Sequence, residues 1–292
     1  MSVYVRARPE QQPALQHLLS TARYSYKNIG DEDLRSLIQH GVVILAYDGP
    51  ALWGALGISL EERPVTLPTN ALNRAGINVM AFMPGYWPGD WIPILQQEAE
   101  QIIPLQVRPL HVSSYGPATW MERGLISAGF EIEEQIVSLV LDKIQQRPIS
   151  SVDPPPAQLR PATHDDLPVV AQMDATIFEP LWHFSERNLL ELLWRGRVQL
   201  ALQQDQIVGY SALLSNSKRE AQLARLGVAV SSQGQGVGRQ LLTDSILACR
   251  EFGYQQLALN TQISNIRSQA LYHAFGFRSF GDKVSVLTKS IY

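Results

Sequence analysis

Three glycines fall close together in the run Gln233-Gly234-Gln235-Gly236-Val237-Gly238. The β-like segment Ala224-Arg225-Leu226-Gly227-Val228-Ala229-Val230 leads into them, and a helical pattern with apolar positions Leu241, Leu242, Ile246 and Cys249 leads away. A strand that ends in a glycine-rich turn and opens a helix aims several unpaired N–H groups at one point, where the helix dipole adds positive potential. Such a point suits a phosphate, and glycine lets the backbone approach it closely. A Walker loop would need Gly-Lys-Ser/Thr, which is absent. A dinucleotide fingerprint would need a third glycine where Arg239 stands and an acidic residue about 20 positions later, where Leu257 to Asn260 offers none. An ordinary strand-to-helix loop is the other reading of the turn taken alone.

A second chemical element follows. The spacing Gln233-x-x-Gly236-x-Gly238, preceded by Leu226-x-Val228, resembles the acetyl-coenzyme A signature of the GNAT superfamily of N-acetyltransferases. Asn265-x-x-Ser268-x-x-Leu271-Tyr272-x-x-x-Gly276-Phe277 resembles a further motif of that superfamily and departs from it only by serine for alanine at 268. The resemblance spans about residues 159 to 289. It implies an α/β (α+β) mixed-sheet GNAT fold, acetyl-CoA as cofactor, and transfer of an acetyl group to a primary amine by direct attack in a ternary complex. Backbone N–H groups of Gln233, Gly234, Gln235, Gly236, Val237, Gly238 and Arg239 would bind the pyrophosphate. Leu226 and Val228 would pair with the pantetheine arm as though it were an added strand, and the Val228 N–H would polarise the thioester carbonyl. The strand at Gln255 to Asn260 must then splay from that at Glu220 to Val230. Asn265 would hydrogen-bond pantetheine near the sulfur, and Tyr272 would contact the cofactor and protonate the departing thiolate.

Each side chain also has a plainer reading. A lone tyrosine on a helix face is commonly a packing residue with a satisfied hydroxyl, and only the Leu-Tyr element makes Tyr272 the acid. Related tandem enzymes would place a basic glutamate near position 222, where this chain has Gln222. Glu220 lies on the same side of the strand, roughly 7 Å away. It is either a base acting through a water chain or a solvated glutamate after Lys218-Arg219, and an amine of low pKa would need no base. The aromatics of Phe178-Glu179-Pro180-Leu181-Trp182-His183-Phe184 either line an acceptor pocket or pack a helix pair. No second histidine or carboxylate stands at metal-ligand spacing from His183, so no metal is expected. A coenzyme A-binding sensor or scaffold with little turnover is the alternative to an enzyme.

The elements that position these residues read, in the second half, as strand 159–161, helices 164–177 and 185–194, strands 197–204, 207–214 and 220–230, helix 236–252, strand 255–260, helix 266–275 and strand 283–289. Arg147-Pro148 through Gln158, with Pro154-Pro155-Pro156, has no apolar periodicity and reads as a linker over 147–158. It separates a domain at 1–146 from a catalytic domain at 159–292. A shift of 147 places Leu110, Gly129, Phe130, Val137 and Ser138 on Leu257, Gly276, Phe277, Val284 and Ser285, and Gly89 on Gly236. Upstream, Ala46 and Gly54 fall on Ala201 and Gly209 at a shift of 155, which puts an insertion in the first half near Glu61 to Gly76. The chain is expected to be two tandem GNAT-like domains, similar in architecture to tandem proteins of the mycothiol synthase type, with the first degenerate. There Gln233, Gly238, Asn265 and Tyr272 become Tyr86, Trp91, Ala118 and Leu125. The rings and prolines of Met83 to Trp91 would obstruct a phosphate or, alternatively, form a separate small-molecule pocket.

Composition narrows the partners. At 45% apolar and 17% charged residues, the 292-residue chain can bury a sizeable core. A net charge of −3 with no basic stripe argues against nucleic acid. The amino terminus reads as a strand, no apolar run is long enough to span a membrane, and the single cysteine suits a cytoplasmic location. The partner expected is a small-molecule or peptide amine, with monomer and homodimer both compatible with the sequence.

Overall fold

A computed structural model describes residues 2–61, 63–68, 71–116, 118–149 and 152–292. Along the chain run β1 (Ser2–Arg6), α1 (Gln12–Thr21), β2 (Tyr24–Lys27), α2 (Leu34–His40), β3 (Val42–Asp48), β4 (Ala51–Glu61), β5 (Asn73–Phe82), α3 (Pro88–Ile102), β6 (Leu110–Gly116), α4 (Thr119–Ser127) and β7 (Glu131–Leu141). The order then repeats, without a counterpart of β2, as β8 (Gln158–Pro161), α5 (Leu167–Ile177), α6 (Glu186–Arg195), β9 (Gly196–Gln203), β10 (Gln206–Ser215), β11 (Glu220–Val228), α7 (Val237–Glu251), β12 (Gln256–Gln262), α8 (Ile266–Ala274) and β13 (Arg278–Ile291).

Two compact units form, one from Met1–Arg63, Asn70–Gln135 and Lys283–Tyr292, the other from Pro64–Thr69 and Ile136–Asp282. They do not follow the single cut at 147–158 read from the sequence. The linker marks where the repeat restarts, whereas the terminal strands are exchanged. The first unit has the strand order β1-β3-β4-β5-β6-β13, with β13 antiparallel to β6 from Ser285 to Ile291. The second has β8-β9-β10-β11-β12-β7, with β7 antiparallel to β12 from Ile136 to Leu141. The exchanged strands are repeat partners, carrying Val137-Ser138 and Val284-Ser285.

Within each unit the sheet is mixed, with one parallel pair: β5 with β6, and β11 with β12. The duplication is visible in register as well as order. Ala46 pairs with Gly54 and Ala201 with Gly209, while Gly129 and Gly276 both end a helix at φ 86°, a conformation that favours glycine. In the second unit the apolar stripes of α5 and α6 cover Val198, Leu200, Tyr210 and Ala212 on one face of the sheet. On the other face, α7 covers Leu213, Leu223 and Leu257, beside Tyr272 of α8. The first unit repeats this layering, with α1 and α2 against Val43, Leu45 and Val79, and α3 and α4 against Ile44, Leu56 and Leu110.

Candidate functional site

β11 and β12 pair only at Glu220, Ala221 and Gln222, opposite Gln256, Leu257 and Ala258. Just beyond, β11 carries a bulge: Ala212 of β10 faces Arg225 while Leu213 faces Leu223, leaving Ala224 over. A bulge bends its strand and raises the local twist, so β11 leaves β12 at this point. On the β10 side Ala229 N donates to Val208 O at 2.8 Å. Successive residues of a strand point their polar groups to opposite sides. Those of Leu226 and Val228 therefore face the opening between β11 and β12.

The glycine-rich turn closes one end of this opening. Gly234 and Gly236 adopt φ of 82° and 88°, and Gly236 is the residue before α7. The side chain of Gln233 ties the turn down: its Nε2 donates to Val228 O at 3.0 Å and its Oε1 accepts from Arg267 Nη1. Arg267, on the first turn of α8, brings a guanidinium beside the turn, 3.5 Å from where a Gly234 side chain would begin. Its sequence signal was only its place two residues after Asn265. Gly238 lies on the first turn of α7 against Val228 and Leu271, and Arg239 stacks over Phe275 at 5.3 Å. The Asn265 carboxamide caps α8, its Oδ1 accepting from Ser268 N at 3.1 Å. At Gly234, Gly236 and Gly238 the turn carries no side chain of its own, and no neighbouring atom comes within 3.4 Å of where one would begin, room that suits the close approach of a phosphate to the backbone.

Tyr272 is 7% exposed, with its ring 5.7 Å from that of Phe277. Among the described residues its hydroxyl has no hydrogen-bond partner, and burial pushes its pKa up to about 12. Glu220 does not join it. It sits at the paired end of β11, six residues before Leu226, or about 20 Å at the rise of an extended strand. There its Oε1 accepts from Asn216 Nδ2 at 3.1 Å, and its carbonyl accepts from Asn216 N and Ser217 N, so its local part is to close the β10–β11 hairpin.

The α5–α6 connection holds a buried polar network that sequence reasoning missed. Asp174, fully buried, accepts from His183 Nδ1 at 3.0 Å, Phe184 N at 2.7 Å, the Tyr210 hydroxyl, and Arg225 Nε at 2.9 Å. Arg225 also gives Nη2 to Trp182 O, and its guanidinium lies 3.5 Å from the centre of the Phe178 ring and 4.0 Å from that of Phe184. Phe178 and Phe184 thus sandwich a cation. The carboxylate partner of His183, sought in vain at ligand spacing, stands nine residues earlier at the end of α5. Burial pushes the Asp174 carboxyl up, but the hydrogen bond from His183, the Arg225 charge and the Tyr210 hydroxyl outweigh it, and the pKa falls below the ordinary carboxylate value. Among the described residues no group of three or more His, Cys, Asp or Glu side chains could hold a metal ion. Nor is any helix of these residues long and apolar enough to cross a membrane.

The first unit has the same opening, but its own strand fills it. β5 and β6 pair over Asn73–Gly76, after which β2 takes the free edge of β5, with Lys27 opposite Val79 and Ser25 opposite Ala81. At the repeat shift of 147, Val79 and Ala81 correspond to Leu226 and Val228. The counterpart of the phosphate turn is filled too: Tyr86 stacks on Trp53 at 4.1 Å, with Trp91 edge-on at 4.6 Å.

Residues 167–277 match the sequence model of the Acetyltransferase (GNAT) family. Over these residues the chain is similar to the GNAT acetyltransferase family. The N-acetyltransferase YvbK of Bacillus subtilis, itself uncharacterized, is 31% identical over 88 residues, which are 30% of this chain and 57% of YvbK. Among solved structures, a tandem GNAT protein from the clavulanic acid biosynthesis pathway superposes with a TM-score of 0.68 at 14% identity, covering 99% of this chain and 98% of its own. A GCN5-related N-acetyltransferase from Sphaerobacter thermophilus gives 0.64 at 14% identity, with coverage of 99% and 95%. These likenesses extend the GNAT fold across both halves. The tandem architecture holds, while the narrower comparison with mycothiol synthase gains no support from them.

Proposed function

We propose that the second unit is an acetyl-CoA-dependent N-acetyltransferase acting on a primary amine of a small molecule or peptide. The observation that carries this reading is the opening between β11 and β12, lined by the backbone of Leu226 and Val228 and ending on the Gly234–Gly238 turn. Acetyl-CoA would supply the activated acyl group as a thioester. Backbone N–H groups from Gln233 to Arg239 would hold its pyrophosphate, with Arg267 adding a positive charge. The Val228 N–H would polarise the thioester carbonyl, and Asn265 would keep pantetheine in register from the start of α8. A neutral amine would take the acyl group as the thiolate departs, and Tyr272, protonated at neutral pH, would give its proton to the sulfur and regain one from solvent. The amine's own proton leaves to solvent, because Glu220 sits at the far end of β11 and position 222 is a glutamine.

Release of free thiol from acetyl-CoA, followed across amino acids, polyamines, aminoglycosides, aminothiols and peptides, tests this function. Turnover that falls in Tyr272→Phe supports it. Coenzyme A binding without turnover on any amine would favour a sensor.

A further inference from the structure

The segment Pro64–Thr69 comes from the first half of the sequence yet belongs to the second compact unit. It lies in the connection between β4 and β5, residues 62–72, where the equivalent β10–β11 connection needs only 216–219. This is the insertion that the repeat comparison locates. A turn with Leu67 N donating to Pro64 O at 3.0 Å sets it, and Leu67 is 4% exposed while its neighbour Val65 is 90% exposed. Thr66 Oγ1 lies 2.7 Å from His183 Nε2.

His183 therefore links two things. Its Nε2 meets the inserted segment, and its Nδ1 meets Asp174, which holds Arg225 and Tyr210. Arg225 directly precedes Leu226, and the α5–α6 connection is wrapped around its guanidinium. The helices α7 and α8 pack on one face of this sheet, so an amine would reach the opening from the opposite face, where Arg225 and the α5–α6 connection lie.

We propose that Thr66 is a positioning residue for the amine: through His183 and Asp174 it fixes Arg225 and the α5–α6 connection, so that an inserted segment of the first half shapes the acceptor side of the catalytic unit. The role of the first half is then to supply this strap, which its loop can do without any cofactor of its own. The inference rests on the acetyltransferase reading of the second unit.

Thr66→Val removes the hydroxyl and keeps the shape, whereas Thr66→Ser keeps the hydroxyl. With an amine that the wild-type protein acetylates, Thr66→Val is expected to raise the acceptor KM by about tenfold, the scale of one lost part-buried hydrogen bond. The affinity for acetyl-CoA should stay unchanged, and Thr66→Ser should remain within about twofold of wild type. An unchanged acceptor KM in Thr66→Val, or an equal loss in Thr66→Ser, overturns the proposal. If the wild-type protein acetylates no amine, the acetyltransferase reading fails by itself, and hydrogen exchange then decides on the strap. Faster exchange at residues 182–184 in Thr66→Val but not in Thr66→Ser supports it, and equal exchange in all three proteins overturns it.

Discussion

Tyr272 and Asp174 are both buried and burial pushes both pKa values up, but only Asp174 has partners that outweigh it. The Tyr272 phenol is pushed up to about 12 by desolvation, so it stays protonated throughout the range in which an acetyltransferase assay is run. Tyr272→Phe is expected to lower kcat by about a hundredfold, the lower scale of general acid catalysis, while leaving the calorimetric affinity for acetyl-CoA intact. Below about pH 10 the rate should rise with pH through the acceptor amine's own pKa, without a limb from Tyr272, and Glu220→Gln should stay within about threefold of wild type. A carboxylate limb lost in Glu220→Gln would contradict the geometry of β11. Asp174 is the opposite case. Its pKa is lowered on folding, so its contribution to stability is present above the unfolded value of about 3.9 and is lost as pH falls through and below it. Asp174→Asn leaves Arg225 charged and buried, and urea unfolding at neutral pH is expected to show a loss of about 3–5 kcal/mol. This network was illegible in the sequence because Asp174, His183, Tyr210 and Arg225 come from four different elements, and no local spacing unites them.

At the scale of elements, the sequence carried the second unit well. The strand and helix order was legible because apolar periodicity and glycine caps agree along most of it, and the splay of β12 from β11 could be required by the chemistry before its cause was seen. That cause, the bulge at Ala224, leaves no signature among ordinary strand residues. The plug in the first unit was equally hidden, since Tyr24–Lys27 is too short to be read as a strand and gains its meaning only from the edge of β5 that it covers. For the turn, Gly236→Ala introduces a side chain where there is room, with Pro156 3.6 Å away, but at a φ of 88° that side chains rarely adopt. The expected cost is about 1–2 kcal/mol in thermal or urea unfolding, together with weaker binding of coenzyme A by calorimetry.

Across the whole molecule, the repeat could be read from a handful of glycines and their spacing, but the exchange of β7 and β13 could not. The two strands are copies of each other, and nothing in a sequence says which copy a sheet receives. The exchange makes each unit dependent on the other half of the chain. A fragment covering 159–292 lacks the strand that pairs with β12 from Leu257 to Gln262. It should therefore fail to give a folded domain by circular dichroism and hydrogen exchange, although it contains every motif of the site. Duplication supplied two openings of the same design, and one of them is closed by its own β2 and by the stacked rings of Trp53 and Tyr86. The other opening is the proposed cofactor site. Calorimetric titration of the intact chain with acetyl-CoA tests it most directly: one molecule bound per chain is predicted, with binding lost when the Gly234–Gly238 turn is replaced. Two molecules per chain, or none, would contradict it.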